Sequence, residues 1–143
     1  MNAKTYASLE GRVEAAEPPY QSDAEARIGD VLDRYDIPAF YRQARLIYDR
    51  GRHDIWRPTF TLPTYDSLVI EYADAAQGLD YDHQNGVYRA NYIPAVFVRE
   101  NDVAAPRLEE NLIRAVQAEY NRARQQYRGA ILHGFGPVDG GSS

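Results

Sequence analysis

The chain has 143 residues, of which 44% are hydrophobic and 26% charged, a globular composition with room for one domain of ordinary size. It contains no cysteine, which excludes disulfides, thiolate metal sites and thiol nucleophiles. No apolar run approaches the roughly 20 residues that cross a bilayer, and the opening MNAKTYASLEGR lacks the apolar stretch of a secretory signal. A cytoplasmic protein with no membrane partner is expected.

The formal charge of −5 argues against a general nucleic-acid coat, but the charges are unevenly placed. Residues 42 to 57 carry Arg42, Arg45, Arg50, Arg52 and Arg57 against Asp49 and Asp54. Residues 58 to 88 carry Asp66, Glu71, Asp74, Asp80 and Asp82 with no lysine or arginine. Such neighbours fit a phosphate contact beside a metal site, and equally two solvated faces.

In chain order, residues 1–21 read as a weakly ordered lead-in, residues 22–135 as a single α/β domain, and residues 136–143, with GPVDGGSS, as a flexible tail. A helix is predicted from Asp23 to Tyr35, with Ser22 as N-cap and Glu25 closing a capping box. Ala24, Ile28, Val31, Leu32 and Tyr35 form its apolar stripe, and Asp36-Ile37-Pro38 ends it. Three strands are predicted next: Phe40 to Tyr48, Ile55 to Leu62 and Ser67 to Tyr72. The polar Asp49–Asp54 stretch reads as a hairpin turn, and SLVIEY as a strand buried on both faces. A helix over Leu79–Asn91, a strand over Ile93–Val98, a helix from Pro106 to Tyr127 and a short strand over Ala130–Phe135 complete the chain. The helical crossover makes the third and fourth strands parallel, so a mixed central sheet flanked by helices is expected.

The segments EARIGDVLDRYDIP, RPTFTLPTYDSLVIEYAD and VYRANYIPAVFVRENDVAAP, set in this α-β-β-β-α-β-α order, resemble the PD-(D/E)xK nuclease superfamily. They are most similar to its small stand-alone branch related to very-short-patch repair endonucleases, over roughly residues 22 to 128. The resemblance implies a restriction-endonuclease-like sandwich and, in an active member, Mg²⁺-dependent cleavage of DNA. Carboxylates there hold the Mg²⁺ that activates water and neutralises charge on the scissile phosphate, and a lysine stabilises that charge further.

Carried over position by position, the resemblance implies a degenerate site. Glu71 matches the acidic residue of the third strand, and Pro58 matches the motif's proline. The following Asp position is Thr59, a poor ligand for a hard cation, and the Lys position is Ala73. Some relatives do without that lysine. The chain's one lysine is Lys4, in the lead-in, and an arginine cannot serve as a base at neutral pH. Glu25 on the first helix and Gln84 on the crossover helix are further catalytic candidates, while Glu71 and Asp74 are the metal candidates, with Asp66 as another nearby carboxylate.

Each candidate has a plainer reading: Glu71 as a strand-end glutamate paired with an arginine such as Arg57, Glu25 as half of a capping box, Thr59 as a sheet residue. His53, His83 and His133 have no ligand spacing. Tyr35, Tyr48, Tyr72, Tyr88 and Tyr120 fall on predicted core stripes, which favours packing over base stacking. Three functions stay open at this point. One is a catalytically impaired nuclease-like module binding nucleic acid through Arg42, Arg45, Arg50, Arg52 and Arg57, or assembling with a protein partner. The others are an active Mg²⁺-dependent endonuclease with rearranged carboxylates, and a structural homodimeric subunit.

Overall fold

A computed structural model describes residues 20–73 and 81–132. The lead-in up to residue 19, Asp74, and the tail from residue 133, including the predicted strand's Phe135, lie outside the described residues. The elements are α1 (Asp23–Arg34), β1 (Phe40–Tyr41), β2 (Arg45–Asp49), β3 (Arg52–Trp56), β4 (Phe60–Leu62), a 3-10 turn (Pro63–Tyr65), β5 (Leu68–Ala73), α2 (Tyr81–Ala90), β6 (Ala95–Arg99), α3 (Glu100–Ala104) and α4 (Leu108–Leu132).

Four strands form a mixed sheet in the order β1-β4-β5-β6. β1, β4 and β5 pair antiparallel, while β5 and β6 run parallel across the α2 crossover. β5 alternates between two cores, as a strand buried on both faces must. Leu68, Ile70 and Tyr72 pack with Ile28, Val31 and Leu32 of α1 and Leu112 and Val116 of α4. Val69, on the other face, packs with Val87 and Tyr88 of α2 and Ile47 of β2.

α1 starts as its sequence dictates: the Ser22 hydroxyl accepts from the Glu25 N–H at 3.1 Å. The return half of the box is displaced by one residue, because the Glu25 carboxylate accepts from Gln21 N–H at 3.0 Å. α1 and α2 end in the same way. Asp36 (φ 55°) and Tyr92 (φ 58°) turn left-handed, and Ile37 and Ile93 donate back to the carbonyls of Leu32 and Tyr88. These are Schellman ends built without glycine.

The predicted strands 40–48 and 55–62 are each two pieces. Arg42 turns left-handed (φ 53°) and ends β1; Pro58 ends the second run, as a residue without an N–H must in a paired strand. The segment between, β2 and β3, is a separate two-stranded hairpin closed by Arg50 (φ 55°) and Gly51 (φ 82°). Two left-handed residues give the turn that matches strand twist. This hairpin lies across α2, with Ile47 buried and the Trp56 ring edge-on to Tyr88 at 5.2 Å.

Two further expectations are corrected. Residues 130–132 extend α4 rather than starting a strand, because the helical run continues unbroken to Leu132. Tyr35 and Tyr48 are exposed, not core: Tyr35 is the C-cap beyond the last turn of α1, and Tyr48 faces outward from the hairpin. Tyr72 and Tyr88 are buried as expected.

Asn91 holds the hairpin in place. Its amide accepts from Tyr48 N–H at 3.0 Å and donates to Tyr48 C=O at 2.9 Å, as a neighbouring strand would. It also donates to Val87 C=O at 2.8 Å. Asn91→Ala removes all three bonds and is expected to cost about 1–2 kcal/mol at the usual net worth of exposed hydrogen bonds. Urea denaturation measures the loss, and amide exchange at Tyr48 should accelerate well beyond that of Val69.

Candidate functional site

The matched positions meet at one end of the sheet, where β4 begins and β5 ends. Thr59 immediately precedes β4, and its hydroxyl accepts from Tyr72 N–H at 3.0 Å. That bond carries the β4–β5 pairing one residue past the strand, so the threonine is turned toward backbone and is buried. Its own N–H faces the Glu71 carboxylate closely enough to favour the ionised form.

Glu71 shares its face of β5 with Val69. The Tyr88 hydroxyl donates to Glu71 Oε2. Burial raises the carboxyl above its ordinary pKa, opposed by the Tyr88 and Thr59 hydrogen bonds and by the charge of Arg42. Burial likewise raises the Tyr88 phenol, reinforced by the Glu71 charge. Tyr88 therefore stays a neutral donor to Glu71. The expected pairing of Glu71 with Arg57 is not formed: Arg57 donates to the carbonyl of Arg42 at 3.2 Å.

Glu25 is buried, its side chain 4% exposed, and all its bonds are internal. Oε1 accepts from Gln21 N–H and from the Tyr41 hydroxyl at 2.6 Å. Oε2 accepts from Arg42 Nη2 at 2.9 Å. Burial opposes the Arg42 charge, but the Tyr41 hydroxyl and Glu25 outweigh it and raise its pKa. The left-handed backbone of Arg42 aims this guanidinium while its N–H bonds Thr59 C=O at 3.1 Å. One internal cation thus pairs directly with Glu25 and acts electrostatically on Glu71.

The remaining candidates contribute less. Ala73 offers only its carbonyl, which accepts from the Tyr81 hydroxyl at 3.4 Å. Gln84 lies on α2 one turn before Tyr88, and its Oε1 is buried without a hydrogen-bond partner among the described residues. Asp66 is exposed in a left-handed turn between β4 and β5. Asp74, the second metal candidate, lies outside the described residues. Among the described residues no three His, Asp or Glu side chains are grouped to hold a metal ion.

The five arginines do not form one surface. Arg42 is bound to Glu25, and Arg45 is half-buried, its Nη1 donating to Ser67 C=O at 3.2 Å. Arg57 is exposed, yet spends one guanidinium nitrogen on the Arg42 carbonyl. Arg50 and Arg52 are exposed at the hairpin tip. Arg50 leans toward Asp49 at 3.8 Å and His83 at 3.2 Å. The clustering in sequence is therefore divided between an internal cation, structural ties and a basic tip.

The site residues not foreseen are Tyr41 and the functional side of Tyr88. Both are ordinary packing aromatics in sequence, and only the closed fold brings their hydroxyls onto carboxylates. No helix among the described residues is long and apolar enough to cross a membrane. Comparison with protein-family models, with curated proteins and with solved structures finds no match to this chain.

Proposed function

We propose that the chain is a non-hydrolytic binding or assembly module on a PD-(D/E)xK nuclease-like scaffold. In this reading α1, β1, β4, β5, α2 and β6 correspond to the core of the restriction-endonuclease-like sandwich, and the β2–β3 hairpin is an insertion between its first two strands. The sheet order, with its one parallel pair across a helical crossover, supports that correspondence.

The observation that carries the loss of hydrolysis is the internal commitment of both acidic positions. Glu25 is neutralised by Arg42 and further hydrogen-bonded by Tyr41 and Gln21. Glu71 is held by the Tyr88 hydroxyl, and burial raises its carboxyl above the ordinary value. Mg²⁺ needs ionised oxygen ligands with lone pairs to spare. Here a guanidinium and two further donors occupy the Glu25 oxygens, the Tyr88 hydroxyl holds Glu71 Oε2, and the Asp position is a Thr59 hydroxyl already bonded to Tyr72 N–H.

Calorimetric titration with Mn²⁺ tests this reading. The native chain and a Glu71→Ala variant are expected to give the same flat trace. A saturable heat in the native chain that the variant lacks would restore a metal site built on Glu71, with Asp74 the nearest carboxylate in sequence.

A further inference from the structure

A covered guanidinium is costly unless an anion lies beside it, because arginine cannot shed its charge. Arg34, Arg42 and Arg122 follow that rule and face the carboxylates of Glu109, Glu25 and Glu119. Arg45 does not. It opens β2 on the same face as the buried Ile47, and is itself half-buried. Among the described residues its guanidinium makes no ion pair and one hydrogen bond, from Nη1 to Ser67 C=O at 3.2 Å. Burial lowers its pKa, opposed by Tyr88.

The acids near Arg45 are committed elsewhere. Arg45 lies opposite Trp56 and Ile47 opposite Asp54, so Asp54 is the diagonal neighbour of Arg45 on that face. The Asp54 carboxylate instead accepts from Ile55 N–H at 2.9 Å. Asp49 faces His83 at 3.4 Å and Arg50 at 3.8 Å. Asp66, beside Ser67 in the chain, is exposed and makes no ion pair with Arg45. The cation acting on Glu71 is Arg42.

We infer that Arg45 anchors a site for a small oxyanion, a phosphate or a carboxylate, held along its Nε–Nη2 edge. The Ser67 carbonyl fixes the plane of the guanidinium through Nη1. Nε and Nη2 make no hydrogen bond among the described residues and point in parallel, as a fork that two oxygens of one anion can fill. An anion seated there offsets the charge and leaves the bond to Ser67 in place. Trp56, the chain's one tryptophan, stands directly across the ribbon from Arg45 with its ring edge-on to Tyr88, so it reports on the site. The site goes beyond the reading of the chain as a module and uses neither Glu25 nor Glu71.

The test titrates the full ¹⁵N-labelled chain with sodium phosphate, sodium acetate and sodium chloride at matched ionic strength. Trp56 fluorescence and the Arg45 Nε–H resonance are the readouts. Phosphate or acetate is expected to change both saturably, and chloride, which cannot bridge two donors, to change neither. Tighter binding of phosphate assigns a phosphorylated ligand, and tighter binding of acetate a carboxylate one. Arg45→Lys keeps the charge and loses the fork, and should weaken the preferred anion by roughly tenfold. Arg45→Met should abolish saturation with an unchanged near-ultraviolet spectrum. Arg52→Met, at an exposed arginine of the same hairpin, should leave the affinity as it was. Absence of a saturable response, or the same response to all three salts, overturns the inference. So does an Arg45→Lys chain that binds as tightly as the native one, or an Arg52→Met chain that loses binding. No metal is added, so a failure here is distinguishable from a failure of the non-hydrolytic reading.

Discussion

An Arg42→Ala protein is expected to be less stable than the native chain by about 3 kcal/mol at pH 7, the low end for breaking a buried ion pair. The low end applies because Arg42 is 30% exposed while Glu25 is only 4% exposed. Removing the guanidinium leaves a buried carboxylate with two neutral donors, Tyr41 and Gln21 N–H. For a chain of this length the loss corresponds to a fall of roughly 10 °C in Tm. Glu25→Gln should cost less, since Arg42 retains partial access to water. The double variant, Arg42→Ala with Glu25→Gln, should recover at least 1 kcal/mol of the summed losses, as coupled neighbours do. Strict additivity in urea denaturation would show that the two side chains do not act as a pair.

The second large effect concerns Glu71 and Tyr88. Tyr88→Phe keeps the ring against Trp56 and removes only the hydroxyl, so its cost at pH 7 should be about 2 kcal/mol, the range for a bond to a charged acceptor. In a Glu71→Gln background the same change should cost less than about 1.5 kcal/mol, because the bond is then neutral. The pH dependence has a definite sign. Burial raises the folded carboxyl above its unfolded value, so between those two values the folded chain holds a proton that the unfolded chain has released. The Glu71 contribution to stability is therefore full below the unfolded pKa, falls as pH rises through the folded pKa, and levels off above it. Glu71→Gln should abolish this component and leave the variant relatively more stable at pH 7 than at pH 4. Denaturation midpoints at the two pH values, compared between native chain and variant, measure it. A native chain whose Glu71-dependent stability increases with pH would contradict the assignment.

How much could be read from residues alone depended on whether a signal was local. The Ser22 cap, the α1 stripe and the ending at Asp36 are local, and α1 stands within one residue of its predicted end. SLVIEY, the crossover and IPAVFV also follow from pattern, and with them the parallel β5–β6 pair. The hairpin did not. Alternation in Phe40–Tyr48 and Ile55–Leu62 continues across Arg42 and Pro58, although the chain leaves the four-stranded sheet at the first and rejoins it after the second. Pro58 was a readable warning; the left-handed Arg42 was not, since tertiary bonds to Glu25 and Thr59 hold it. Leaving the sheet also reversed the expected role of Tyr48, which a pattern of alternation cannot fix.

The site divided in the same manner. Thr59 and Ala73 are departures visible in the text. The roles of Arg42 and Tyr88 are not, because each meets its carboxylate only when α1 and α2 close on the sheet. The structural ties of Arg45 and Arg57 likewise depend on Ser67 and on the Arg42 carbonyl. A count of arginines could not separate these from the exposed pair at the turn.

The most direct measurement of the central claim is the nicking of supercoiled plasmid DNA by the purified chain in Mg²⁺ or Mn²⁺. The account predicts that plasmid stays supercoiled at the level of a metal-free control, for the native chain and for Glu71→Ala alike. Metal-dependent conversion to open circles by the native chain, lost on Glu71→Ala, would contradict it.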